Sequence, residues 1–322
     1  MTNFVNKWLK KITQSKLFIL IVNSSKKIIL PGFEGVPVYD VVLFFFKGLQ
    51  NSALGNRAAS LSFKFFLAIF PGLIFIITLI PYIPVNNFQD LLLQLLKDLM
   101  PLSAYQATQE TFLDLINNKQ GGLLSFGFIF ALYLATDGVY AMMSGFNESV
   151  HIVEKRPAYK IRLISIMLVV IITLLLTLST ALIVFSSLVL GYLQFHGIIN
   201  DGITLYLLLF GKWLILLGLL FTAISFLYYL GPSGNVKYRF ISAGSTLATI
   251  FIILVSSGFA FYVNNFGSYN KLYGSIGTII VVMLFINFNV FVILLGYELN
   301  SSIYLAKQNQ KNDKQILTPI KI

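Results

Sequence analysis

Few side chains in this chain can do chemistry, because most of it is long apolar runs, and Asp137 is foremost among them. It stands in "YLATDGVYAMMSGFNES", about 10 residues from the nearest polar loop, roughly 15 Å along a helix. A carboxylate at that depth needs a cation, several hydrogen-bond donors or a proton of its own. Tyr133 and Tyr140 fall at i−4 and i+3 and share its face. Arg57, Ser60 and Lys64 stand at i, i+3 and i+7 and share one face of another helix. These residue types support two roles for Asp137. It is a structural partner of Lys64, Arg57 or Lys212, or it is a proton- or cation-responsive group lining a pathway. Lys64 and Arg57 have a simpler role open to them, snorkelling to headgroups.

A second candidate region is "NNFGSYNKLYGSIG", residues 264–277, between two long apolar runs. Asn264, Asn265, Ser268, Tyr269 and Tyr273 supply donors and acceptors, while Gly267, Gly274 and Gly277 permit unusual dihedrals or close helix approach. Read plainly, it is a polar hairpin turn. It is richer than a turn requires, and irregular polar backbone at membrane depth must be buried in protein or line water. The other reading is therefore a stretch that dips inward and lends donors to a cavity. The following segment, "FINFNVFVILLGYELN", places Asn287 and Asn289 on different helix faces, so at least one is expected to bridge to a neighbouring helix. Glu298 and Asn300 lie near its end. A loop arginine, Arg156 or Arg162, is expected to anchor Glu298.

Composition says what solvent the supporting elements meet. Of 322 residues, 57% are hydrophobic and only 11% charged, where a soluble domain carries about 25% charged residues. Mean hydropathy is +0.82. Hydrocarbon about 30 Å thick takes about 20 apolar residues per helix, whereas barrel strands alternate over about 10. Six runs are long enough and apolar on all sides, at about 60–82, 122–146, 163–191, 205–230, 240–263 and 274–303. The expected fold class is all-α: a polytopic membrane helical bundle with six transmembrane helices plus interfacial and amphipathic helices.

Lysine and arginine total 23 and are unevenly placed. They crowd before the first run (Lys7, Lys10, Lys26, Lys47, Arg57) and between the second and third (Lys155, Arg156, Lys160, Arg162). They recur between the fourth and fifth (Lys237, Arg239) and after the sixth (Lys307, Lys311, Lys314). The opposite side keeps Lys97, Lys119 and Lys271. Positive charge stays cytoplasmic, so both termini are expected inside. The net charge of +11 reads as topology and contact with anionic lipid, not as a nucleic-acid footprint. Residues 1–56 are then a cytoplasmic segment with an interfacial helix near Val36–Gly55, 57–304 the transmembrane domain and 305–322 a basic tail. The six apolar residues of "LFILIV" fall short of a signal-peptide core of about 7–15. Segment 86–122, with Leu92, Leu95, Leu96 and Leu99 at helical spacing, is expected to cap the outer face as an amphipathic helical pair. The chain has no cysteine, which excludes disulfides and thiolate metal sites.

Three stretches, "RAASLSFKFFLAIFP", "FNESVHIVEKRP" and above all "FYVNNFGSYNKLYGSIGTIIVVMLFINFNVFVILLGYELN", resemble the YihY/BrkB family of bacterial inner-membrane proteins, from about Arg57 to Asn300. The resemblance implies six transmembrane helices in the bacterial inner (plasma) membrane, cytoplasmic termini and no settled function. It carries the family's motif positions onto Arg57, Pro71, Asn265, Phe266, Gly267, Ser268, Tyr269, Tyr273, Gly274, Gly277, Gly296, Glu298, Leu299 and Asn300. The chain departs from the family pattern at "INFNV", where a segment with Trp or Tyr is common, and at Lys64, where an uncharged residue is frequent.

The family has also carried the label ribonuclease BN. Metal-dependent phosphodiester hydrolysis needs clustered carboxylates or histidines. Only His151 and His196 exist, and the expected topology puts them on opposite sides. Asp90, Asp98, Glu110 and Asp114 fall outside, away from cytoplasmic RNA. No P-loop, dinucleotide fingerprint or GxSxG stretch occurs. A nuclease or other enzyme is therefore not expected, and neither is a cofactor or metal. The expected function is movement of a small solute, ion or lipid along a route lined by Asp137, Lys64, Arg57 and the Asn264–Tyr273 stretch. The alternative is a structural or envelope-assembly protein whose buried charges are internal staples. Membrane lipids are the expected partners and nucleic acid is not; the oligomeric state stays open.

Overall fold

The computed structural model describes residues 23–51, 53–82, 113–114, 118–149, 154, 156–196, 202–233, 238–266 and 275–317. Its main elements, in chain order, are α1 (Val38–Asn51), α2 (Leu54–Leu79), α3 (Gly121–Ser149), α4 (Ala158–Phe195), α5 (Gly202–Leu230), α6 (Ala243–Phe266) and α7 (Ser275–Leu317). Helices α2 to α7 are long and apolar enough to cross a membrane. Among the described residues the protein is an all-α membrane bundle with six transmembrane helices.

Hydrocarbon offers backbone groups no partner, so a spanning segment must close its own hydrogen bonds. Several hydroxyls follow the same rule. Ser62, Thr177, Thr180, Thr222 and Thr249 each donate to the carbonyl four residues back, so these polar residues sit in an apolar helix without an unmet donor. Pro71 lies within α2 and is buried.

The spans do not share the interior equally. In the most apolar window, 22% of residues are buried in each of α2, α3 and α7, against 6% in α4 and α5. The first three form most of the core, joined by parts of α4, α5 and α6 around Phe146, Leu168, Tyr228, Leu294 and Tyr297. Helices α4 and α5 present Phe185, Phe210 and Trp213 outward, where lipid replaces protein as the apolar neighbour.

Two boundaries differ from the sequence reading. Helix α2 starts at Leu54, before the expected Ser60. Helix α7 runs on through the segment expected as a basic tail, to Leu317. The sequence explains the latter, because "IYLAKQNQKNDKQIL" is rich in strong helix formers and has no Gly or Pro. A helix, α1, forms where the interfacial one is expected, and it docks on this extension. Val36 and Val41 pack with Ile303 and Ala306, Lys307 pairs with Glu34, and Gln310 donates to Asp40 at 3.1 Å. The expected amphipathic pair at 86–122 lies almost wholly outside the described residues.

Candidate functional site

Helices α2, α4 and α6 begin, and α3, α5 and α7 run out, at one end of the bundle, which holds most of the basic residues among those described. Arg57 near the start of α2 donates from Nη1 to the Gly145 carbonyl at 2.8 Å and to Ser149 Oγ at 3.2 Å. Its Nε lies 3.7 Å from Glu148 Oε2. A cation there complements the negative end of the α3 dipole. Asn147 joins two connections. Its Nδ2 donates to Glu154 at 2.9 Å and its Oδ1 accepts the Ser233 N–H at 2.8 Å. Arg156 donates to Glu154 from Nε and Nη2, at 2.9 and 2.7 Å, and Nη2 also reaches the Gly231 carbonyl at 2.9 Å. Burial pushes the Glu154 carboxyl up, but the hydrogen bonds and charge of Arg156, with Asn147, outweigh it and hold the group below its usual value.

Asn300 completes the start of α6. Ser242 is the N-cap: its Oγ accepts the Ser245 N–H at 3.1 Å, and Ser245 Oγ accepts the Ser242 N–H at 3.2 Å in return. Asn300 Oδ1 accepts the Gly244 N–H at 2.8 Å, and Nδ2 donates to Ser242 Oγ at 2.9 Å. A Cβ on Gly296 would lie 2.6 Å from the Tyr228 hydroxyl, 2.7 Å from the Gly244 carbonyl and 2.8 Å from Ala248 Cβ. Glycine at 244 and 296 is therefore what lets α6 and α7 touch. Glu298 is buried against α1, where Gly48 has no room for a Cβ beside its carboxylate. The arginines expected to anchor it are engaged elsewhere, Arg156 on Glu154 and Arg162 on Asp137. Helical spacing gives the face of a residue but not the neighbour opposite it.

Deeper in the bundle, Lys64 Nζ lies 2.8 Å from Asp137 Oδ2, and Arg162 Nη1 lies 3.9 Å from Oδ1. The Arg162 guanidinium sits over the Tyr133 ring at 4.9 Å. Lys212, another partner considered for Asp137, lies over Trp213 on α5 instead. Gly138 sets the register of this contact, since a Cβ there would meet the Phe65 ring at 2.9 Å. With Phe65 over Gly138, Lys64 falls beside Asp137.

The bundle also holds an open apolar cleft of about 510 Å³. All six spans line it, through Phe65, Val139, Ile172, Leu227, Ser256 and Asn289 among others. Its polar lining is sparse: Thr173, Ser256 and Asn289. Ligand pockets run about 300–1,000 Å³ and are mostly apolar with a few polar groups, so the cleft fits an apolar chain.

The residues singled out from sequence thus separate. Lys64 and Asp137 come together, while Arg57 is tied further out and Glu298 and Asn300 are buried at the basic end. None of these lines the cleft. Asn265 donates to the Phe261 carbonyl of its own helix at 2.8 Å. The Asn264 side chain and all of Gly267, Ser268, Tyr269 and Tyr273 lie outside the described residues. Asn287 bridges to Ser62 on α2 at 3.3 Å, the expected interhelical contact, while Asn289 donates to Phe285 in its own helix at 2.8 Å. Sequence reasoning missed the cleft; Asn289, already flagged in "INFNV", was its one visible sign.

A family model described as "Virulence factor BrkB" matches residues 45–317. The chain belongs to the BrkB family. Among relatives of this BrkB protein, a Bacillus subtilis (strain 168) protein named as ribonuclease-like, YfkH, is 33% identical over 253 residues, covering 79% of this chain and 91% of its own. A UPF0761 membrane protein of Alteromonas mediterranea is 31% identical over 129 residues, 40% of this chain and 42% of that one. Another from Vibrio campbellii is 32% identical over 129 residues, 40% and 41% of the two chains. No solved structure matches significantly. The BrkB match ends where α7 ends, so the helical extension that clasps α1 belongs to the family's shared region.

Proposed function

We propose that this BrkB protein moves a lipid or lipid-like amphiphile through its membrane, with the apolar portion passing the cleft among the six spans. The observation that carries this reading is the lining: one open cavity of about 510 Å³ touched by every transmembrane helix. A cavity shared by all spans changes shape whenever any helix shifts, which is what alternating access to two leaflets needs. Its apolar wall suits an acyl or isoprenoid chain better than an ion. The membrane is the bacterial inner membrane, with the basic end in the cytosol. In this reading the role is non-enzymatic.

Reconstitution into liposomes with fluorescent phospholipids tests this. Flux above empty vesicles is expected, and Ser256→Phe, which fills the cleft, should abolish it while the protein stays folded and monodisperse. Wild-type vesicles indistinguishable from empty ones would end the reading. A second reading, envelope assembly without transport, draws support from the ion pairing of Asp137 with Lys64 and Arg162. It expects Asp137→Asn to lower thermal stability and co-purify fewer partners, with no flux in any variant.

A further inference from the structure

Lys64, Asp137 and Arg162 reach one point from three different spans. Their side chains are 37%, 31% and 33% exposed. Tyr133 and Tyr140, on the same face of α3, are exposed as well. The cluster therefore opens to the surroundings of the bundle, on the opposite side of α3 from the cleft residues Ala135 and Val139. It combines two cations with one carboxylate, leaving net positive charge. Lys64 is matched by its hydrogen bond to Asp137. Arg162 is not: at 3.9 Å it is too far for a hydrogen bond, and its guanidinium donates to no acceptor among the described residues. In hydrocarbon such unmet donors are costly.

We infer that this cluster binds the phosphate of an anionic phospholipid. A phosphodiester brings one negative charge and several acceptor oxygens, which match the excess charge and the planar donor fork of arginine. Arg162 stands one turn inside the start of α4 at Ala158, and a long cationic side chain near a helix end reaches up toward the headgroups. Exposed Leu67 and Phe130 lie deeper on the faces of Lys64 and Asp137 and receive the acyl chains. A zwitterionic lipid carries its own cation and gains less beside a net-positive cluster. The inference deepens the translocation reading by naming the headgroup, and rests on it only for the movement of the lipid, not for its binding.

The test uses the purified full chain in detergent, titrated separately with phosphatidylglycerol, phosphatidylcholine and inorganic phosphate. Native mass spectrometry reads retention and thermal unfolding reads Tm. Phosphatidylglycerol should be retained and raise Tm, and the other two should not. Arg162→Gln should weaken its retention about tenfold, as loss of one charge-assisted donor group implies. Arg162→Lys, which keeps the charge and loses the fork, should fall between and serves if the first variant does not fold. Asp137→Asn removes the competing carboxylate and should strengthen retention. Equal retention of the two phospholipids, or unchanged retention in Arg162→Gln, overturns the site. Inorganic phosphate raising Tm as far as the lipid does overturns a lipid source in favour of a soluble anion. The two readings fail separately: selective retention without flux ends translocation alone, and flux without selective retention ends this site alone.

Discussion

At the basic end, α6 and α7 approach so closely at Gly244 and Gly296 that neither residue has room for a Cβ. About 18 Å further along α6, at about 1.5 Å per residue, the same two helices stand far enough apart for Ser256 and Asn289 to line the cleft. The difference lies in what the polar groups do. At the close end they are used up between elements, as Asn300 on Gly244 and Ser242 and Arg156 on Glu154 and Gly231 show. Around the cleft, Thr249 turns back on its own helix, and the polar ties between spans are sparse among the described residues, with Asn287 on Ser62 and Tyr228 on the Ile293 carbonyl. Stability is thus concentrated where helices touch, and freedom to rearrange where they do not.

The largest expected effect breaks the close end. Gly296→Leu drives a side chain into the Gly244 carbonyl, Ala248 and the Tyr228 hydroxyl. Overpacking of this kind costs about 1–3 kcal/mol, or more where backbone must move. Asn300→Ala instead strands the Gly244 N–H, at about 1–3 kcal/mol for a buried donor left unmet. Both should lower Tm in detergent clearly, whereas Ser256→Phe should leave it nearly unchanged or raise it. A cleft-filling variant as unstable as Gly296→Leu would show that the middle is packed as tightly as the end.

The ionic cluster lies between the two regimes, and a double-mutant cycle tells which it follows. Asp137→Leu alone leaves Lys64 and Arg162 facing each other, while Asp137→Leu with Lys64→Met removes the closest pair together. The double variant should be less destabilised than the sum of the singles, with a coupling of about 0.5–3 kcal/mol. Additive losses would mean that the 2.8 Å contact contributes nothing and that the cluster behaves like the loose middle.

The parts legible in the sequence are those that depend on solvent. Six spans follow from run length and charge placement, since only helices and closed barrels satisfy the backbone in hydrocarbon and barrel strands are far shorter than these runs. Arg57 and Lys64 were marked by being cations in apolar helices, and the pairing of Lys64 with Asp137 was among the partners that follow from depth. The partner of Glu298 was not legible, because spacing along α7 says nothing of α1 arriving over it at Gly48. The cleft was invisible for a different reason. Ile172 lines it and Val170, two residues away, faces outward, yet an aliphatic side chain looks the same in sequence whether it meets lipid, protein or a void. In water the exposed positions would be polar and the contrast would show.

The smallest expected effect concerns acid, and it separates the two ends once more. Glu154 is a carboxyl held below its ordinary value of about 4.5, so the charged form is favoured in the folded protein. Its stabilisation is fully present above the unfolded value and is lost as pH falls through the lower folded one. Below about pH 4.5, protonation weakens its hold on Arg156 and Asn147, and with it the link from the α3–α4 connection to Gly231 and Ser233. Wild-type Tm should therefore drop across that window by slightly more than the Tm of Glu154→Gln, which has already lost the charge and is less stable at neutral pH. The contribution is modest because the group is partly exposed and screened. Other carboxylates titrate in the same range, so only the difference between the two proteins is informative. Identical acid profiles would mean that the fork of Arg156 onto Glu154 orders the connection without stabilising it. A change in lipid flux over the same window, matched in Glu154→Gln, would instead couple the basic end to the cleft and erase the division of labour between them.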